Sequence, residues 1–351
     1  MVAPAVLEID GSFGEGGGQT IRIATSFSII LGRPIRVTRV RAGRRTPGIR
    51  PQHAATLKIL REVCGGSLEG GEIGSTEFTF SPGRPASRSM TVDMGTAASI
   101  TLVLQALIPA VSLSGVELDL ELVGGTDVPW SPTCDYVGTV LGASLRRLGV
   151  EFGLEVERRG YYPNGGGRAK VRIRPCREIL PIELPARTSE PQISLVSRAG
   201  MLPRRVAEQQ ASSATSQLAR HGLSPAAVEV RIEDSASPGS SILVSAVDGS
   251  CYVGADSIGA RGKPALRVGS EAAWWFARSY TTGACVDPHL ADMLAPLLCL
   301  ARSPSSLLTS EFTEHLRTSL HVAQQFVGAD YTVGDAGAAK LLTITPGEQN
   351  S

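Results

Sequence analysis

No apolar run in this chain reaches the ~18 residues that a membrane-spanning helix needs. The longest, Ile100 to Val111, is interrupted by Gln105. The first residues, Met1-Val2-Ala3-Pro4, carry no basic segment and no signal-like apolar core. A cytoplasmic location with no membrane partner is therefore expected. Cysteine is sparse and scattered, at 64, 134, 176, 251, 285 and 299, with no CxxC pair. That argues against a zinc site and a disulfide framework, and leaves isolated thiols. Only four lysines occur, at 58, 170, 263 and 340, among 34 basic residues. None sits in GxxxxGK[ST], so there is no P-loop, and none sits in a KxDG context, so no lysine would carry a nucleotidyl group. A G-x-S-x-G elbow and a kinase HRD or DFG set are also missing.

What remains is an ordinary globular composition with an uneven charge. The 351 residues are 42% hydrophobic and 19% charged, enough for two domains or one large one. The net charge is only +1, yet residues 1–61 hold nine arginines and one lysine against Glu8, Asp10 and Glu15. A local positive field on a near-neutral protein points to an anionic ligand held in one place. Two stretches stand out there. Gly14-Glu15-Gly16-Gly17-Gly18-Gln19 opens an apolar segment. Glycines let backbone approach a phosphate, and a following helix N-terminus adds partial positive charge. A structural turn would explain the glycines equally well, but Glu15 among phosphate-binding groups calls for a cation, and Mg²⁺ or Mn²⁺ takes such oxygen ligands. The second stretch places Arg41, Arg44, Arg45 and Arg50 just before Gln52-His53, with no acid among them. Glycine and proline keep it irregular, and bidentate Arg suits phosphate.

The chain repeats itself. Gly14 to Gly43 reads as a glycine turn, a helix from Ile21 to Leu31 and an alternating strand at Ile35, Val37 and Val40. Gly95 to Asp127 repeats this plan, with a helix from Ser99 to Val111 and a strand from Val116 to Val123. Further helices are expected over 52–63 and 133–148, closed by Gly65-Gly66 and Gly149. Each unit reads strand–helix–strand–helix–strand–strand, an α/β class (α+β sandwich) with sheet on one side and helices on the other. A third unit is expected to begin at Gly165-Gly166-Gly167, with late helices at 270–281 and 288–301. The stretch between looks like an insert, with strands at 192–199, 228–232 and 241–247 and a helix at 205–221. Residues 1–185 plus 280–346 would form a repeat-built catalytic domain, and 186–279 a smaller inserted α/β domain. The tail after Pro346 is expected to fray.

Five histidines are present, at 53, 221, 289, 315 and 321. His221, before Gly222, suits a helix end. On composition alone each of the others is more readily structural than catalytic. With no suitable lysine, a neutral imidazole is the natural nucleophile for any covalent nucleotidyl step.

Taken together, several motifs resemble the RNA 3′-terminal phosphate cyclases, and the likeness covers nearly the whole chain. They are Asp10-Gly11-x-x-Gly14-Glu15-Gly16-Gly17-Gly18-Gln19, Arg41-Ala42-Gly43-Arg44-x-x-Pro47-Gly48, Gln52-His53, Leu102-Val103-Leu104-Gln105 and Gly124-Gly125-Thr126-Asp127. Tyr162-Pro163-x-Gly165-Gly166-Gly167, His289-Leu290-Ala291-Asp292 and His315-Leu316-x-Thr318 follow in order. The resemblance implies three repeats of a four-stranded sheet backed by two helices, with a small domain inserted. It also implies adenylation of His315 by ATP, transfer of AMP to an RNA 3′-phosphate, and attack by the vicinal 2′-OH to give a 2′,3′-cyclic phosphate. Glu15 would be the metal ligand, for Mg²⁺ or Mn²⁺. Gln19, Gln105, Pro132 and His289-Leu290-Ala291-Asp292-Met293 would bind the nucleotide. Arg22, Arg41, Arg44, Gln52 and His53 would grip phosphates. Three departures stand out: a short Phe312–His315 segment, Ser319 where Asn is usual, and Met293 where Gln is frequent. His321 is the other imidazole near the expected nucleophile. The alternatives are a non-catalytic cyclase-like RNA-processing scaffold, which lacks that histidine, and an enolpyruvate transferase. The partners implied are an RNA 3′-phosphate end and, held open, a second copy of the chain as a homodimer.

Overall fold

The computed structural model describes residues 5–347. Met1 to Pro4 and most of the tail after Pro346 lie outside the described residues, so those two expectations find no counterpart here. The first unit is β1 (Leu7–Asp10), α1 (Gly18–Leu31), β2 (Ile35–Thr38), α2 (Pro51–Cys64), β3 (Ser67–Glu69) and β4 (Phe78–Ser81). Its sheet runs β1-β2-β4-β3, with β1 parallel to β2 and β4 antiparallel to its neighbours. Alternation buries Ile35 and Val37 from β2 and Phe78 and Phe80 from β4 beneath the helices. Helix α1 stops where Gly32 takes a left-handed conformation at φ 62°, a C-cap that glycine adopts without strain.

The second unit repeats the order. It comprises β5 (Arg88–Asp93), α3 (Ile100–Leu113), β6 (Leu118–Gly124), a helix running through α4 (Cys134–Tyr136), a π turn (Val137–Leu141) and α5 (Gly142–Arg147), then β7 (Phe152–Arg158) and β8 (Gly167–Ile173). Its sheet runs β5-β6-β8-β7. The expected elements are therefore present, but the third unit does not begin at Gly165-Gly166-Gly167. Those glycines lead into β8, which closes the second sheet.

The third unit opens at β9 (Glu183–Leu184) and is then interrupted. The inserted elements are β10 (Ile193–Gly200), α6 (Arg204–Ala219), β11 (Ala227–Glu233), β12 (Gly239–Val247), β13 (Tyr252–Ile258) and α7 (Ala265–Tyr280). They form a sheet in the order β11-β10-β12-β13 with both helices packed on it. The third unit resumes with α8 (Pro288–Leu298), β14 (Ser305–Thr309), α9 (Glu314–Val327), β15 (Asp330–Ala336) and β16 (Ala339–Thr345). Its sheet, β9-β14-β16-β15, matches the other two.

Two corrections follow. The expected helix at 270–281 is α7, and it belongs to the insert. Its Val268, Ala272, Ala273 and Phe276 share a separate core with Leu218, Ile242 and Val244. Gly269 lets α7 lie against the α6 backbone at Gln210, where a Cβ would collide. The second helix of the third unit is α9, which carries His315. The three units share one large core, and α1 packs against both α3 and α9. Phe27 of α1 meets Phe326 of α9 with ring centroids 5.4 Å apart. That packing brings the N-terminal ends of α1 and α9 together, although some 300 residues separate them in sequence.

Candidate active site

The glycine loop ends where α1 begins. Gly17 caps that helix with no side-chain hydrogen bond, so the first-turn N–H groups are available to a ligand. Two loop glycines are required by close approach. Gly14, at φ 61°, backs onto the Thr318 hydroxyl of α9, and Gly18 lies against the His53 ring; a Cβ on either would collide. The loop is thus clamped between the starts of α2 and α9.

Gln19, in the first turn of α1, reaches across to His315. Its Oε1 lies 2.6 Å from His315 Nδ1. Its amide donates to Ser319 Oγ, which in turn donates to the His315 carbonyl at 2.9 Å. In this network Gln19 Oε1 accepts, so Nδ1 carries the proton and Nε2 carries the lone pair of the neutral ring. Burial lowers the His315 pKa below its ordinary value; Glu15 opposes that, while His289, Arg22 and Arg44 reinforce it. The ring is therefore neutral near pH 7. Nε2 faces Glu15 Oε2 at 3.1 Å, and the same oxygen accepts from Arg44 at 2.6 Å. A carboxylate opposite a lone pair needs a shared cation. A proton supplies one when the ring is charged, and a divalent ion would supply one in a loaded site.

That donor set fits magnesium or manganese held in one particular way. One protein carboxylate is too few for a cage, and no cluster of three or more His, Cys, Asp or Glu side chains suits a metal among the described residues. Mg²⁺ is commonly held by one or two carboxylates together with substrate phosphates. Glu15 matches that arrangement.

The basic residues divide by what they touch. Burial lowers the Arg22 pKa to about 10, and no charged neighbour offsets it. A charged guanidinium desolvated without a carboxylate is costly, and an incoming anion removes that cost. Arg44 holds Glu15. Arg41 bends back, donating to the carbonyls of Thr46 at 3.0 Å and Gly48 at 3.1 Å, so it fixes the loop in this state. Its own φ is 55° and that of Arg39 is 50°, left-handed positions that cost a non-glycine residue about 1 kcal/mol or more. The His53 pKa is pushed down to about 3 by burial and then by Arg22, Arg41 and Arg50. Its Nδ1 accepts the Arg50 N–H at 3.2 Å. The neutral ring therefore presents an Nε2–H donor at the glycine loop. Gln52 is committed elsewhere, bonding both the N–H (2.5 Å) and the carbonyl (3.2 Å) of Ser99.

Beside Arg22 a cleft is lined by Gln19, Gln105, Asp292, Met293 and apolar side chains from α1, α3 and α8. Its mostly apolar lining with a few polar groups suits one face of a nucleobase. The Asp292 pKa is raised to about 8, mainly by burial, despite the 2.7 Å bond it accepts from Thr313. His289 is exposed at the start of α8. Leu290 and Ala291 turn fully into the core, so only their backbone is left for a ligand. Pro132 is outside the cleft lining; its carbonyl accepts the Thr101 hydroxyl at 2.7 Å. His321 stacks on Phe13 at 3.6 Å and bonds Gln325, away from Glu15. Sequence reasoning grouped Gln19 with the nucleotide binders and missed its bond to His315. It also passed over Thr313, whose S/T-at-N-cap position before α9 was the available signal.

A family model described as RNA 3′-terminal phosphate cyclase matches residues 13–333. The RNA 3′-terminal phosphate cyclase of Pyrococcus abyssi is 39% identical over 341 residues, covering 96% of this chain and 99% of its own. That of Pyrobaculum aerophilum is 40% identical over 340 residues, covering 96% and 97%. That of Thermococcus kodakarensis is 40% identical over 339 residues, covering 96% and 98%. A solved EPSP synthase from Acinetobacter baumannii aligns with 15% identity at a TM-score of 0.27, over 98% of this chain and 66% of its own, too distant to define the fold. With the family match spanning both ends of the clamped glycine loop and the histidine it faces, this chain belongs to the RNA 3′-terminal phosphate cyclase family.

Proposed function

We propose that the chain converts an RNA 3′-terminal phosphate to a 2′,3′-cyclic phosphodiester at the expense of ATP, through a covalent His315–AMP. The observation that carries this is the state of His315: neutral, with Nδ1 held by Gln19 and Nε2 facing Glu15 at 3.1 Å. Nε2 attacks the α-phosphorus of ATP and pyrophosphate leaves. An oxygen of the RNA 3′-phosphate then displaces the imidazole, giving an RNA–adenylate. The neighbouring 2′-OH attacks the activated phosphorus, its proton passes to solvent, and AMP departs. Adenylation is needed because a phosphate monoester offers no good leaving group.

This chain's residues supply position and charge. Gln19 and Ser319 hold the ring on one tautomer. Arg22, Arg44, the His53 Nε2–H and the free N–H groups of α1 face the space where phosphate charge develops. A divalent ion held by Glu15 would neutralise further phosphate charge. The cleft of Gln105, Asp292 and Met293 takes the adenosine. Six unpaired buried cysteines suit a reducing, ATP-rich cytoplasm. A non-catalytic RNA-processing scaffold would have no use for a neutral, oriented His315 beside Glu15 and Arg44.

Incubation with α-labelled ATP and Mg²⁺ or Mn²⁺ tests the reading. The label should be acid-labile and alkali-stable, as a phosphoramidate is, and absent from His315→Ala. An unlabelled wild type, or a fully labelled His315→Ala, would overturn it.

A further inference from the structure

Trp130 breaks two ordinary preferences at once. Its side chain is 94% exposed, and its backbone sits at φ 61°, a left-handed conformation rarely taken by a bulky residue. The loop around it is firmly held. Val128 is buried, and its carbonyl accepts the Ser131 hydroxyl at 2.8 Å. The Pro132 carbonyl accepts from Thr101, and the Thr133 N–H donates to Asp256 at 2.7 Å. A pinned loop that presents an indole to solvent in a strained backbone is a feature maintained for contact.

Its place says what the contact is with. Gln52 bonds Ser99, the Ser99 hydroxyl lies 2.8 Å from that of Thr101, and Thr101 bonds Pro132. Trp130 is two residues from Pro132, within ~7 Å along the chain. One continuous hydrogen-bonded path therefore joins the indole's loop to the N-terminus of α2, where His53 and Arg50 stand. The indole lies outside the cleft that suits adenosine. Asp127 pairs with Tyr161 in an isolated parallel bridge, which sets the 59% exposed Tyr162 in the turn alongside. Aromatic rings along a path leading from a cationic phosphate site are how single-stranded nucleic acid is held, base by base.

We propose that the Trp130 indole is a stacking platform for a nucleobase of the RNA strand near its 3′ end. This rests on the RNA-end reading above. The source of the base is the RNA and not ATP, and the two are separable by experiment.

Trp130→Gly is the informative variant, because glycine adopts φ 61° without strain and the loop's hydrogen bonds involve other residues. Binding of a short fluorescent single-stranded oligoribonucleotide ending in a 3′-phosphate should weaken about ten-fold, by the usual loss of one base–aromatic stack. The melting midpoint should be no lower than wild type, and Trp130→Phe should recover most of the affinity. An oligonucleotide with abasic 3′-terminal positions should bind wild type and Trp130→Gly alike. The proposal is overturned if RNA affinity is unchanged in Trp130→Gly. A raised KM for ATP in self-labelling would give the indole to the nucleotide instead. A lower melting midpoint or an altered oligomeric state would give it to the fold or to a second copy, and either result also overturns the proposal. A wild type that binds RNA through Trp130 but leaves its 3′-phosphate uncyclised would sink the proposed reaction while keeping the platform.

Discussion

Asp292 is a carboxyl group kept largely neutral by where the chain puts it. Burial dominates, and Asp287, Glu15 and Glu311 add to the upward shift, against the bond from Thr313. The folded pKa is about 8 against an ordinary 3.8. The folded state therefore binds this proton where the unfolded state has released it. The group leaves stability intact below pH ~4 and subtracts from it progressively as pH rises toward 8, with an upper bound of about 6 kcal/mol. Asp292→Asn keeps an acceptor for Thr313 and removes the ionisation. Its melting midpoint should exceed wild type by more at pH 8 than at pH 5; a gain independent of pH would refute the assignment. At this scale the sequence was partly legible. Glu15 stood out as the one acid in a glycine loop suited to phosphate, whereas His315 entered only through the resemblance to the cyclases. Gln19 was expected among the nucleotide binders and does line that cleft, but its bond to His315 was not foreseen, since nothing local says that a glutamine at position 19 meets a histidine at 315. Trp130 carried no signal, because exposure and backbone sign are not written in residue type.

The element that matters most is α9, and its first turn is fixed from two sides. Thr313 caps it by accepting the Leu316 N–H at 2.9 Å, and the Thr313 hydroxyl donates to Asp292 of α8. The same turn carries His315, so these bonds tie the cleft wall at Asp292 to the proposed nucleophile. Thr313→Ala should cost about 1 kcal/mol, the usual value of a lost N-cap. It should also slow self-labelling beyond what that loss of stability explains, whereas Thr313→Ser should restore both. Denaturant unfolding and labelling rates measured on the three proteins decide it, and a labelling rate unchanged in Thr313→Ala would separate the cap from the chemistry. Helices α1, α2 and α3 were legible because each shows helical apolar spacing bounded by glycine, proline or serine. The third unit was legible only at α8, the helix expected over 288–301. Its first strand, Glu183–Leu184, is too short to show a period. The amphipathic helix that follows in sequence, α7, belongs to a different core.

The whole molecule depends on how the insert is joined to the repeats, and one buried arginine dominates that joint. Arg159 of the second unit is 4% exposed and donates to Asp127 at 3.1 Å, Asp135 at 2.9 Å and Glu233 at 2.9 Å. Arg198 of the insert bonds Asp135 at 2.7 Å and also Glu233. The cluster spans the two bodies, with Asp127 and Asp135 on one side and Arg198 and Glu233 on the other. Burial would lower the Arg159 pKa, but the carboxylates more than offset it, and the group stays charged. Burial raises the Asp135 pKa, yet Arg159 and Arg198 bring it below 3.8, so its contribution is present above that pH and lost as acid takes it through the folded value. Arg159→Met fills most of the volume but leaves buried carboxylates uncompensated. It should destabilise by about 3–5 kcal/mol, the typical cost of removing one partner of a buried ion pair. Arg159→Met with Asp127→Asn should recover part of that loss, because one of the stranded charges is removed. Limited proteolysis should show the single variant cut first in the segments that enter and leave the insert, residues 185–192 and 281–287, while the double variant resists longer. Equal proteolysis of both variants and wild type would mean that the insert is held by its other contacts, such as the Tyr252 N–H to Cys285 carbonyl bond of 2.7 Å, and not by this arginine.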